Sequence, residues 1–137
     1  MAVMARAGTK YQQHLTANPV QIRRTRRIVT ALLRYWGWDE QIDPALLCVT
    51  ELLTNVFRHA CCENCELRLE ASPLVLRIVV SDRSHDLPVV REAEPLAEGG
   101  RGMSLIVASA DAWGADPTDA GKDVWAEFRA GHDGAAA

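Results

Sequence analysis

Glu51 and Asn55 stand four residues apart in a stretch, 51–59, that also carries Leu52, Leu53, Val56 and Phe57. At about 100° per residue in a helix, Glu51, Asn55 and Arg58 fall on one stripe, while Leu47, Val49, Leu52, Leu53 and Val56 supply apolar packing around it. A carboxylate among leucines costs free energy unless it is hydrogen-bonded, charge-paired or used in chemistry. Here the carboxylate could serve as a general base toward a hydroxyl, and the amide oxygen one turn later suits a hard cation such as magnesium. The same stretch also reads as an amphipathic helix with a solvated polar edge, so the rest of the chain must decide.

Three later segments bear on the choice. Residues 74–82 form an apolar run that ends in Asp82, where a strand-end carboxylate can accept a hydrogen bond from an exocyclic amine in a pocket. Alone, Asp82 reads as readily as a turn aspartate. In 98–103, Gly99, Gly100, Arg101, Gly102 and Met103 combine mobile backbone, a guanidinium and a helix start, features that each favour phosphate; by itself the segment is also an ordinary glycine-rich loop. Residues 121–128 read as a closing strand.

Taken in this order, over roughly residues 20–130, the segments resemble a GHKL (Bergerat-fold) ATP-binding domain, specifically the actinobacterial single-domain serine kinase and anti-sigma factor branch. The N box of that family matches 51–59, the aspartate box 82–88, the glycine box 99–104 and the closing strand 121–128. The resemblance implies ATP and magnesium as cofactors, with Glu51 as general base and Asn55 as magnesium ligand. It also implies that Asp82 reads the adenine amine, while Gly100, Arg101, Gly102 and Met103 surround the phosphates. The implied partners are a sigma factor and a small STAS-type anti-sigma factor antagonist, with a homodimer formed near the first helix. Two departures stand out: residues 82–86 lack the glycines of the usual Asp-x-Gly-x-Gly, and Ser104 replaces a glycine found in many relatives.

These residues need a frame to hold them. Asn18 and Pro19 signal a helix start, and Ile22, Ile28, Val29, Leu32 and Leu33 carry helical period across 20–36 until Gly37 ends it. Asp43-Pro44 opens a second helix, with Pro44 at its first position, running to about residue 60. Residues 11–15 read as an edge strand, 66–71 and 74–81 as a hairpin, and 112–117 and 121–129 as two closing strands. The long stretch 83–100, rich in Pro, Asp, Glu and Gly, reads as a lid or binding loop before a helix over 102–110. The expected fold class is α/β, a two-layer α+β sandwich with a mostly antiparallel sheet and helices on one face. Residues 10–130 form the domain, with disordered tails at 1–9 and 131–137. Trp113 and Trp125 are expected in the core.

Composition narrows the function. A chain of 137 residues with 48% hydrophobic and 24% charged residues is ordinary globular composition, enough to bury about two-thirds of its unfolded surface around one core. A net charge of −3 gives no electrostatic case for nucleic acid, and no stretch nears the roughly 18 apolar residues of a membrane span or carries a signal core, so a cytoplasmic protein is expected. Arg23, Arg24, Arg26 and Arg27 are read as a solvated or partner-facing surface. Cys61, Cys62 and Cys65 crowd one turn without a second ligand pair and read as reduced thiols. Three functions compete: a protein serine/threonine kinase and anti-sigma factor, a non-enzymatic nucleotide switch, and a thiol-based sensor. The retained Glu51 and Asn55 favour the first, and the altered glycine boxes favour the second.

Overall fold

Asn18 sits in extended backbone, and its side-chain oxygen accepts the Gln21 N–H at 2.9 Å. Pro19 takes the first helical position, where no intrahelical donor is lost. Helix α1 then spans Pro19–Tyr35. It closes where Gly37 turns to φ 82°, with Trp38 N–H donating to the Leu33 carbonyl at 2.8 Å and Gly37 N–H to that of Arg34 at 3.1 Å. That left-handed closure is what glycine permits. In this computed structural model, residues 9–59, 63–84, 106 and 108–131 are described.

A 3-10 turn at Asp39–Gln41 leads into α2, Ile42–His59. Pro44 is therefore the third helical residue, not the first, and still within the turn whose N–H groups have no helical acceptor. Arg26 crosses from α1 to the Thr50 hydroxyl and the Leu46 carbonyl, so one member of the arginine cluster ties the helices together while Arg23, Arg24 and Arg27 stay exposed.

Five strands, β1 (Thr9–Thr16), β2 (Asn64–Ala71), β3 (Val75–Asp82), β4 (Ala112–Pro117) and β5 (Lys122–Arg129), form one sheet in the order β1-β2-β3-β5-β4, every pair antiparallel. Alternation sends Leu67, Leu69, Leu76, Ile78, Val80, Val124, Ala126 and Phe128 to one face, where they pack with Val49, Leu52, Leu53 and Val56 of α2 and Val29 and Leu33 of α1. The architecture is the expected α/β two-layer sandwich. Ile106, fully buried, joins this core, and it and residues 108 and 109 are the described part of the helix expected over 102–110.

The other face of the sheet is polar. Arg68 bonds Glu66 at 2.9 Å, the Ser81 hydroxyl at 3.0 Å and Asp123 at 3.3 Å. Burial disfavours its charge, but the bonds to Glu66 and Asp123 outweigh that and hold the guanidinium more firmly protonated. Trp125 lies on this face and not in the core. It is half-buried, with Arg77 4.5 Å from its ring centre and its indole N–H donating to Asp116 at 3.2 Å. Odd positions of β5 point away from the helices, and Gly114 on β4 leaves room for the indole: a Cβ there would come within 2.5 Å of the ring. Trp113, half-buried, packs against the core as expected.

Candidate functional site

Glu51 and Asn55 occupy one stripe of α2, both half-buried, on a helix whose neighbouring positions Cys48, Leu52 and Val56 are buried. Leu47, expected in the apolar packing, shares their half-buried side, and Cys48 takes its place in the core. Among the described residues neither the Glu51 carboxylate nor the Asn55 amide has a side-chain hydrogen-bond partner. Burial raises the Glu51 carboxyl above its ordinary range, with the Arg58 guanidinium pulling the other way. Burial, helped by the Glu51 charge, pushes the Cys48 thiol up to about 12, so that sulfur is inert at neutral pH.

Asp82 ends β3 on the helix-facing side, continuing the alternation of Leu76, Ile78 and Val80. It is a buried carboxylate among a mostly apolar set, which demands partners. Its Oδ1 accepts the Ser84 N–H at 2.8 Å, the local bond of a turn aspartate. Lys122 of β5, directly opposite in register, places Nζ 3.1 Å from Oδ1 and 3.0 Å from Oδ2. The sequence pattern did not single out this lysine, whose only signal was a cation at the second position of the stretch 121–128 expected as the closing strand.

Gly121 holds the two strand ends together. A Cβ at this position would meet the Asp82 carbonyl oxygen at 2.0 Å and the Arg83 Cα at 2.6 Å, so only glycine lets the β4–β5 turn approach the end of β3. At the same end of the sheet a cavity of about 600 Å³ is lined by Leu15, Thr16, Cys65, Asp82, Arg83 and Thr118. A larger cavity, about 890 Å³, lies at the opposite end beside Trp36, Trp38 and Pro73 and holds none of the expected site residues.

Helix α2, which carries Glu51 and Asn55, packs on β3, which ends in Asp82, and on β5; the cavity at that end of the sheet is lined by Asp82 and by neither Glu51 nor Asn55. Gly100, Arg101, Gly102 and Met103 lie outside the described residues, as do Cys61 and Cys62. Cys65 is buried opposite Leu15, a packing position, and among the described residues no group of His, Cys, Asp and Glu is arranged to hold a metal by itself. The amide oxygen of Asn55 suits magnesium shared with a nucleotide's phosphates, which needs few protein ligands. The Asp82 carboxylate suits a base amine.

The family model of the histidine kinase-like ATPase domain matches residues 15–128, and the chain belongs to that family. Membership supports an ATP-binding role, typically with magnesium. No curated protein matches the chain. No described helix is long and apolar enough to cross a membrane.

Proposed function

We propose that this chain is an ATP- and magnesium-dependent protein serine/threonine kinase that also acts as an anti-sigma factor. It phosphorylates a small STAS-type antagonist and holds a sigma factor when the antagonist is modified, working in the cytoplasm. The observation that carries this reading is Glu51: half-buried, raised in pKa and one turn before Asn55, it is poised as a base within a family that binds nucleotide. Asn55 would hold magnesium and Asp82 the adenine amine, while Arg101 and the glycines at 100 and 102 would surround the phosphates. Magnesium bound there would neutralise charge developing on the transferred phosphoryl group. Glu51 itself would orient the partner's hydroxyl and take its proton at a carboxylate oxygen.

The second reading is a nucleotide switch without transfer, favoured by the absence of glycine from 82–86. One assay separates them. With labelled ATP and a candidate antagonist, Glu51→Gln should leave ATP binding intact and lower transfer by roughly 10²-fold or more, the usual worth of a positioned base. Tight ATP binding by the wild type with no transfer to any cognate antagonist, and unaltered partner binding by Glu51→Gln, would establish the switch instead.

A further inference from the structure

The larger cavity, about 890 Å³, lies at the end of the sheet away from Asp82 and has no part in the proposed phosphoryl transfer. Tyr35 at the end of α1, and Trp36 and Trp38, which flank Gly37 in the chain, line it. Tyr35 is 87% exposed, and Leu74, which follows the lining residue Pro73, is 71% exposed. They are the most exposed of the large hydrophobic side chains described, and apolar residues left open beside one cavity mark a surface that a partner covers.

Trp38 carries an unmet bond. It is 9% exposed, and its main chain is satisfied: its N–H donates to the Leu33 carbonyl at 2.8 Å and its carbonyl accepts the Gln41 N–H at 3.0 Å. Its indole N–H has no acceptor among the described residues. A buried indole N–H ordinarily has a partner, and an acceptor brought into the cavity would supply one.

Asp39 and Glu40 come next in the chain. Both are exposed, both line the same cavity, and neither carboxylate has a side-chain partner among the described residues. No lysine or arginine is among the described residues that line it. The 3-10 turn that carries these charges is tied to the end of β5, since the Gln41 amide donates to the Arg129 carbonyl at 2.9 Å. The complement of such a cavity has a cation and a hydrogen-bond acceptor on an apolar stem. An arginine within an extended peptide has all three: a guanidinium, backbone carbonyls and a chain of methylenes.

We propose that this cavity docks an extended peptide segment of a partner protein. Its arginine packs on the aromatic residues and pairs with Asp39 and Glu40, while a backbone carbonyl accepts from the Trp38 indole N–H. The site is separate from the nucleotide-binding residues and does not depend on that reading.

Titration of the full chain with the blocked tripeptide acetyl-Leu-Arg-Leu-amide, followed in proton–nitrogen correlation NMR spectra, tests this. The chain has four tryptophans, and the indole resonance missing from Trp38→Phe is that of Trp38. We expect this resonance to move downfield and saturate as peptide is added. Affinity should fall about 5-fold in Trp38→Phe, which keeps an aromatic ring and loses the donor, and about 5-fold in Asp39→Asn/Glu40→Gln. If Trp38→Phe does not fold, the double variant, changed only at exposed positions, carries the comparison, and the Trp38 resonance is assigned through the bonds that link it to its own backbone. A Trp38 indole that does not respond to the peptide overturns the assignment. So does equal binding of acetyl-Leu-Gln-Leu-amide, which lacks the cation, or of guanidinium ion alone, which lacks the carbonyl and would make the cavity a small-cation site. A Trp38 resonance that moves with protein concentration in the absence of peptide also overturns it, in favour of a second copy of the chain.

Discussion

At the scale of single residues, the position of Glu51 carries a cost as well as a use. Its folded-state pKa is raised by burial, so the folded protein binds this proton more readily than the unfolded chain does. The favourable contribution is then fully present below the unfolded value and is lost as pH rises through the folded one, leaving an ionised, partly desolvated carboxylate at neutral pH. Glu51→Gln, similar in shape and uncharged, should therefore be slightly more stable than wild type at pH 7, with the difference shrinking toward pH 4. Because the side chain is only half-buried, water screens much of the effect, and on the order of 0.5 kcal/mol, about 2 °C in melting temperature, is expected. A variant that loses transfer while gaining stability would mark the residue as kept for chemistry. Thermal melts of both proteins at pH 4, 5.5 and 7 check the sign.

At the scale of elements, the junction between β3 and β5 decides whether the site exists. The β4–β5 turn lies so close to the end of β3 that Gly121 has no room for a methyl group, and the atoms it would strike are backbone, not a side chain that can swing away. Gly121→Ala should therefore lower stability by about 2–3 kcal/mol, toward the upper end of overpacking effects, and move Lys122 out of register with Asp82. Urea denaturation would report the first as a lower midpoint. A matching loss of ATP affinity would report the second. Gly114 is a contrast, because the atoms a Cβ would meet there belong to the Trp125 ring, which stands on the solvated face of the sheet.

At the scale of the whole molecule, ligand binding between the layers should appear as stability. A nucleotide that binds only the folded state adds about 2.7 kcal/mol at 100 times its Kd, on the order of 10 °C for a domain of this length. ATP with magnesium should shift the wild-type melting temperature by that amount, ATP with a chelator by less, and Asn55→Ala should show little difference between the two conditions. A melting temperature that ignores magnesium in the wild type would remove Asn55 from the metal site.

The amino-acid sequence alone determined the elements and the order in which they come. Asn18, Pro19 and Gly37 bound α1 through local backbone chemistry, and alternation marked the strands, because both signals act within a few residues. The Glu51–Asn55 stripe was legible for the same reason, since one helical period places both residues. Only the tertiary structure decided which charges meet. The Asp82–Lys122 pair spans 40 positions, and nothing local to either residue specifies the register that brings them opposite each other. Arg26 looked like one of four solvated or partner-facing arginines until the approach of α2 gave it Thr50, and Trp125 looked like core until the sheet turned its odd positions outward. A hydrophobic aromatic and a basic cluster are compatible with either face; which face they take depends on the parity of strand pairing and on the distance between helices, quantities that exist only once the layers have packed.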